Sequence, residues 1–175
     1  MKAIVIYNSQ TGFTKKYADW ISEAAGCESV NIKEVSKLNL FEYDAIVFGS
    51  WCMAGKIQKI KWFKKIMPEL AEAGKKLFVY FVGASPAESP EVSVTMDINF
   101  TAGEKDITKR FYCPGGLNYD NMSFASKFAM KMLIKSMASK KNPSEDDLRI
   151  IKTLSHSYDS SDIKYVQPII DELKG

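Results

Sequence analysis

The amino-terminal segment constrains the fold more than any other part of the chain. An apolar, β-branched run from Ala3 to Tyr7 stops at Asn8, and apolar residues recur at helical spacing after Thr14. Between these two patterns lies the polar turn Ser9-Gln10-Thr11-Gly12-Phe13-Thr14. This order predicts a buried strand, a tight turn and a helix, which is the repeating unit of an α/β protein.

The turn after this strand is also the main candidate for a binding site. The hydroxyls of Ser9, Thr11 and Thr14 are expected to gather beside backbone N–H groups at the positive end of the helix dipole. Gly12 permits close approach of the backbone to a ligand. Such a pocket suits a phosphate monoester. The alternative, which the sequence leaves open, is that these residues only begin the helix.

Strand and helix patterns alternate along the chain as far as Cys113. They predict a helix over residues 14–25 that ends at Gly26, and further strands over 29–35, 43–49, 77–82 and 109–113. Additional helices are predicted over 57–73 and 90–103. Continuous apolar strands separated by helices indicate a parallel, doubly wound α/β sheet, because the crossover helices must cover both of its faces.

The remainder of the chain is helical and polar in pattern. Helices are predicted over 121–141, after Ser144, and over 163–173. In the first of these, Lys127, Lys131 and Lys135 recur every four residues beside a broad apolar surface. We favour a core-packed helix with a solvated lysine edge. The alternative is peripheral attachment of Asn121 to Lys141 to an anionic membrane at its inner face.

Composition excludes several classes of protein. The 46% hydrophobic and 26% charged residues are typical of a globular domain, and a net charge of +3 is too small to indicate nucleic-acid binding. Cys27, Cys52 and Cys113 form an odd set without CxxC spacing, which argues against a disulfide framework and a zinc site. We expect one domain spanning residues 1–175 in the cytoplasm, because no signal peptide, membrane helix or linker is evident.

Three loops are expected to converge at the carboxyl edge of the sheet, where doubly wound proteins bind ligands. They are numbered here by the predicted strand that each follows. Loop one is the turn already described. Loop three offers an indole and two sulfur side chains to a flat aromatic ring, and comprises Ser50, Trp51, Cys52, Met53, Ala54, Gly55 and Lys56. Loop four has small residues that let its backbone approach the ring edge, namely Gly83, Ala84, Ser85 and Pro86.

A phosphate anchor beside an aromatic slot predicts FMN as the ligand. Taken alone, Trp51 and Met53 could face a partner protein or pack in the core, and core packing is the better interpretation; only their position after a buried strand favours the flavin. Turn Ser9-Gln10-Thr11-Gly12-Phe13-Thr14 resembles the FMN phosphate loop of flavodoxins. The order of elements also resembles the flavodoxin-like fold over most of the chain. That resemblance implies a doubly wound, five-stranded parallel sheet in the order 2-1-3-4-5 with helices on both faces.

A second stretch of sequence resembles one particular family within the flavodoxin-like proteins. The segment Gly115-Gly116-Leu117-Asn118-Tyr119, followed by the Met- and Lys-rich run from Ser126 to Met137, is similar to the flavodoxin-domain family that includes the menaquinone-dependent protoporphyrinogen oxidases. The resemblance implies noncovalent FMN and electron exchange with a quinone or a redox partner protein. We favour an FMN-dependent oxidoreductase without a catalytic acid, base or metal. An electron carrier and a flavin-free interaction module are the alternatives.

Overall fold

Five parallel strands form the centre of the molecule. The computed structural model describes residues 1–175. The parallel strands lie in the order β2-β1-β3-β5-β6, and the short β4 runs antiparallel beside β3. Without β4 this is the predicted order 2-1-3-4-5, so the predicted sheet is confirmed. The strands are β1 (Ala3–Asn8), β2 (Glu28–Asn31), β3 (Ala45–Met53), β4 (Lys56–Ile57), β5 (Lys76–Gly83), β6 (Lys109–Pro114), β7 (Gly116–Leu117) and β8 (Tyr158–Asp159).

Helices cover both faces of this sheet. They are α1 (Phe13–Ala25), α2 (Ile60–Glu72), α3 (Pro90–Asn99), α4 (Ala102–Asp106), α5 (Phe124–Ala138), α6 (Glu145–Leu154) and α7 (Gln167–Lys174), with 3₁₀ turns at Val35–Lys37, Leu40–Glu42 and Ile163–Tyr165. Helices α1 and α7 pack on one face, and α2 packs on the other. None of the helices combines the length and the apolar character needed to cross a bilayer.

Strand β5 shows how the sequence pattern produces this layering. Phe78, Tyr80 and Val82 enter the core shared with α1 and α7, and the residues between them enter the core shared with α2. Side chains alternate between the faces of a strand, so a strand covered on both faces must be apolar throughout. The run from Leu77 to Val82 is buried at every position, as its sequence predicts.

The largest local departure from prediction is loop three, which is a β-hairpin. Strand β3 continues to Met53, turns at Ala54 and Gly55, and returns as β4. Both turn residues have positive φ, 50° and 73°, as in the two-residue turns that join twisted antiparallel strands. Alanine is uncommon in such a turn, so the sequence lacks the usual hairpin signal. Helix α2 consequently begins at Ile60 instead of at residue 57.

Three further predicted elements differ from the structure. The strand predicted over 29–35 ends at Asn31, whose side-chain oxygen accepts a hydrogen bond from the Lys33 N–H at 3.0 Å; this local bond replaces strand pairing. The helix predicted over 90–103 is two helices, because Thr101 and Glu104 form a capping box that starts α4. The helix predicted over 163–173 is likewise divided into a 3₁₀ turn and α7.

The segment between β7 and β8 forms a helical insertion. Strands β7 and β8 pair antiparallel, which brings the two ends of the insertion together. Helices α5 and α6 pack on each other, and α6 starts at the predicted cap Ser144. The favoured interpretation of α5 as a core-packed helix was wrong, because no residue of α5 is buried. The sheet faces are already covered by α1, α7 and α2, so no core surface remains for α5.

A buried phenol joins α1 to the far edge of the sheet. The Tyr17 hydroxyl donates to the Pro114 carbonyl at 2.6 Å and accepts from the Asp162 N–H at 3.1 Å. Tyr17→Phe leaves both backbone groups without a partner, and we expect it to lower the free energy of unfolding by about 1–3 kcal/mol in urea denaturation. Tyr7→Phe is the control, because the half-buried Tyr7 hydroxyl makes no protein hydrogen bond. Equal stability of the two variants would contradict this assignment.

Candidate functional site

Loop one joins β1 to α1 and leaves the first turn of α1 open. Gly12 has a φ of 103°, a conformation that favours glycine, and no side chain caps the helix. Ser9 Oγ accepts a hydrogen bond from the Gly12 N–H at 3.2 Å, which leaves the Ser9 hydroxyl hydrogen able to donate. Thr11 is half-buried, and its hydroxyl makes no bond to the protein. Free helix N–H groups beside two hydroxyls can bind an anion.

Tyr80 holds the start of α1 from within the core. Its buried hydroxyl donates to the Thr14 carbonyl at 2.9 Å. Burial raises the pKa of Tyr80 well above its ordinary value, so the phenol remains a donor. Gly49 on neighbouring β3 makes room for the ring, since a Cβ there would overlap it. Thr14 itself is buried beneath the turn, unlike Ser9 and Thr11.

The two lysines that follow loop one are engaged in ion pairs. Lys15 Nζ lies 2.7 Å from an Asp19 carboxylate oxygen, and Lys16 Nζ lies 2.7 Å from Asp159. Burial opposes ionisation of Asp159, but hydrogen bonds from Lys16 and Ser161 outweigh it and lower the pKa of that carboxyl. Because both ammonium groups already have carboxylate partners, anion binding at loop one rests mainly on its hydroxyl and N–H groups.

Gln10 links loop one to the helical insertion. Its Nε2 donates to Ser126 Oγ at 3.2 Å, across 116 positions of sequence. The Ser126 N–H donates in turn to Ser123 Oγ, which caps α5, at 3.1 Å. The start of α5 therefore lies against loop one, a proximity that the sequence pattern does not indicate.

The base of loop three is anchored by Ser50. Its buried hydroxyl accepts from Asn8 Nδ2 at 3.0 Å and donates to the Gln58 carbonyl at 2.6 Å. The single hydroxyl hydrogen is thus already used. Ser50 holds the hairpin against the end of β1, and in this structure its hydroxyl is not free to donate to a ligand.

The tip of loop three is held by Asn99 of α3. Its Oδ1 accepts from the Ile57 N–H at 3.0 Å, and its Nδ2 donates to the carbonyls of Gly55 at 2.6 Å and Thr95 at 2.7 Å. Asn99 is buried, so these bonds are shielded from water. These bonds hold the hairpin in one position, with Ala54 and Gly55 at its turn.

The side chains of the hairpin divide between the core and the surface. Half-buried Cys52 packs against the core below α2, and burial raises the pKa of its thiol although bonds from Gly55 and Thr95 oppose this. Trp51 and Met53 point to the other face of the strand and belong to neither hydrophobic core. Met53 is 52% exposed, and Lys56 is exposed as well. The core-packing alternative for Trp51 and Met53 is thereby wrong.

Loop four is held in place by two tyrosines. The Tyr112 hydroxyl donates to the Ser85 carbonyl at 2.6 Å, and the Tyr158 hydroxyl donates to the Ala84 carbonyl at 3.0 Å. Ser85 Oγ donates to a carboxylate oxygen of Glu91 at 2.8 Å. These bonds fix the backbone that follows Gly83 at the carboxyl end of β5.

The three loops meet at one edge of the sheet. Asn8 pairs in register with Ser50, and Trp51 pairs with Val82, so β1, β3 and β5 end side by side. A cavity of about 350 Å³ opens next to the start of α1. Only one predicted site residue lines it, and the full lining is Phe13, Leu117, Asn118, Asp120, Ser157, Tyr158 and Asp159. Residues of β7 and β8 therefore also line the cavity at this edge of the sheet.

Sequence reasoning missed the residues that hold the loops. Tyr80 and Tyr112 had a usable signal, because a phenol within a buried apolar strand needs a hydrogen-bond partner. Asn99 and Tyr158 had no such signal. Asn99 reaches Gly55 across 44 positions and Tyr158 reaches Ala84 across 74, so only the folded chain brings them together.

Asn99→Ala is expected to release the hairpin. The substitution removes three hydrogen bonds and leaves the Ile57 N–H unpaired, so we expect a loss of about 2 kcal/mol in the free energy of unfolding. Trypsin cleavage after Lys56 should become faster than in the unaltered protein. Asn142→Ala is the control, since Asn142 is exposed and makes no side-chain bond. Unchanged cleavage would show that other contacts hold the hairpin.

Comparisons of sequence and of structure find proteins similar to this chain. An uncharacterized protein of Methanocaldococcus jannaschii is 25% identical over 90% of this chain and 97% of its own. The structure of a flavodoxin from the domain Archaea is 20% identical over the whole of both chains, with a TM-score of 0.43. The Trp repressor binding protein from Bacillus subtilis is 13% identical over 82% of this chain and 100% of its own, with a TM-score of 0.50.

A family model decides the assignment. The model for the flavodoxin domain matches residues 4–145. The match extends from β1 to the start of α6 and therefore includes all three loops. This chain belongs to the flavodoxin domain family.

Proposed function

We propose that the protein binds FMN at the carboxyl edge of its sheet and exchanges electrons with a quinone or a redox partner protein. The observation that carries this proposal is loop one, with its uncapped helix, its glycine at positive φ and its free hydroxyls. Membership of the flavodoxin domain family supports flavin binding. FMN would supply one- and two-electron redox chemistry when bound.

Loop one would hold the phosphate of the cofactor. The N–H groups at the start of α1 carry the positive end of the helix dipole, and the Ser9 and Thr11 hydroxyls can each donate to a phosphate oxygen. Open space lies where a Gly12 side chain would project. These donors are set in place by Tyr80 and by the Gln10 contact, so little ordering is needed when an anion binds.

The flavin ring would lie between loop three and loop four. The side chains of Trp51 and Met53 lie outside both hydrophobic cores and are available to cover one face of the ring. The backbone of Ala54, Gly55 and Ser85 would meet its edge. Hydrogen bonds from Asn99, Tyr112 and Tyr158 hold this backbone, so both loops would meet the ring with little rearrangement. No side-chain acid or base is required for electron exchange.

Gel filtration after incubation with FMN or with riboflavin tests the proposal. We expect the flavin absorbance to remain with the protein for FMN, and the affinity for riboflavin to be at least about tenfold lower because it lacks the phosphate. A protein that retains neither compound would favour the flavin-free interaction module. Equal affinity for both would show that loop one does not hold the phosphate.

A second experiment separates an oxidoreductase from a carrier. Anaerobic turnover with NAD(P)H and quinone analogues would favour the oxidoreductase. Reduction by a ferredoxin reductase without quinone turnover would favour the carrier. The similarity of Gly115 to Tyr119 to the menaquinone-dependent protoporphyrinogen oxidases stays a prediction until a substrate is tested.

A further inference from the structure

The outward face of α5 exposes large apolar side chains. Phe124, Phe128 and Met132 are 88%, 61% and 51% exposed. They recur every four residues and so form one row along the helix. The opposite side of α5 is the half-buried one, and α5 packs against α6. The apolar row therefore serves no packing within the chain.

A row of lysines lies beside the apolar row. Lys127, Lys131 and Lys135 are also spaced by four residues, and none of them forms an ion pair. Lys131 and Lys135 are exposed, and Lys127 is half-buried at the border of the outward face. Residues 121–141 contain five lysines and no acidic residue, whereas the whole chain has a net charge of only +3. Positive charge and apolar surface are thus concentrated on one helix.

We propose that this face of α5, the rows of Phe124, Phe128 and Met132 and of Lys127, Lys131 and Lys135, docks on an anionic lipid bilayer. Lysine ammonium groups would meet headgroup phosphates while their methylene stems lie along the surface. The aromatic and thioether side chains would enter the boundary between headgroups and acyl chains. The helix would lie in the interface without crossing it.

Two other occupants fit the observations less well. A second copy of the chain, docked through the same face, would bring one lysine row against another without intervening carboxylates. A rigid protein partner is less suited, because these side chains protrude from a single convex helix and line no groove. A bilayer can deform around protruding side chains and supplies negative charge at any point of contact.

Vesicle flotation of the full chain tests the proposal. The vesicles are phosphatidylcholine alone, or phosphatidylcholine and phosphatidylglycerol in equal amounts. We expect flotation with the anionic vesicles only, and release at high salt. Lys131→Glu with Lys135→Glu should weaken partition at least about tenfold, and Phe128→Ser with Met132→Ser should weaken it to a similar extent.

Matched variants on other helices serve as controls. Lys61→Glu with Lys65→Glu changes the charge equally, at exposed positions of α2 that form no ion pair. Val94→Ser with Ile98→Ser removes apolar side chains that are 53% and 63% exposed on α3. Partition of both control variants should stay within about twofold of the unaltered protein, because neither pair lies on α5. Circular dichroism checks that every variant is folded.

Several outcomes overturn the proposal. It fails if the unaltered chain floats with neither kind of vesicle, or equally with both. It also fails if the control variants lose partition as strongly as the α5 variants. A dimer that Phe128→Ser with Met132→Ser dissociates, in a protein that does not float, assigns the face to a second copy. Vesicle flotation does not depend on whether the protein binds FMN. Failure of the membrane proposal can therefore be distinguished from failure of the proposed function.

Discussion

Gly49→Ala is expected to destabilise the protein strongly, although it adds only one methyl group. The new Cβ would overlap the ring of Tyr80, which is itself buried at the centre of the sheet. Overpacking of a core usually costs about 1–3 kcal/mol, and here neither neighbour can move, because β3 is paired on both sides. We therefore expect a loss above about 3 kcal/mol in urea denaturation, or failure to fold.

Two further variants make this prediction specific. Gly103→Ala adds the same methyl group into open space on α4 and should be neutral or stabilising by up to about 1 kcal/mol. Gly49→Ala combined with Tyr80→Val should recover part of the loss, because the overlapping ring is gone. If Gly49→Ala is as stable as the unaltered protein, the packing of Tyr80 against β3 has been assigned incorrectly.

Thr11→Asp is expected to abolish retention of FMN without weakening the fold. In an environment of intermediate dielectric, a carboxylate repels each negative charge of the phosphate by about 4 kcal/mol at 4 Å, so even partial screening leaves an expected loss of affinity above about 100-fold. The same carboxylate at the start of α1 interacts favourably with the helix dipole, by about 0.3–1 kcal/mol. Affinity and stability should therefore change in opposite directions.

Isothermal titration with FMN and with riboflavin measures this effect. Riboflavin carries no phosphate, so its affinity should fall much less than that of FMN. Ser36→Asp is the control, because Ser36 is exposed in a 3₁₀ turn and leaves loop one unchanged. Equal losses for both ligands would indicate a steric effect, and an unchanged affinity for FMN would place the phosphate away from loop one.

The anchored hairpin has a consequence for the proposed binding of a flavin. Loop three was predicted as a loop, yet Ser50, Asn99 and the paired strands hold it as a fixed arm. A hairpin that is already held loses less conformational freedom when a ring binds than a mobile loop does. Asn99→Ala should therefore weaken flavin affinity as well as stability, although Asn99 lies behind the hairpin.

Local patterns predicted the fold well. The apolar run of β5, the polar turn of loop one and the cap at Ser144 each depend on residues close together in sequence. The alternation of apolar strands and helices also indicated a parallel, doubly wound sheet, because the crossover helices must cover both of its faces. The strand order itself was predicted from the resemblance to the flavodoxin-like fold and not from the pattern of apolar residues.

Tertiary contacts decided the rest. Gln10 meets Ser126, Asn99 meets Gly55, and β7 meets β8 across long stretches of sequence. The spacing of apolar residues in the sequence does not predict such contacts, because they depend on which surfaces remain after the strands and helices have packed. The exposure of α5 has the same cause. Its sequence determines a basic helix rich in apolar residues, but only the completed core determines that the row of Phe124, Phe128 and Met132 faces outward.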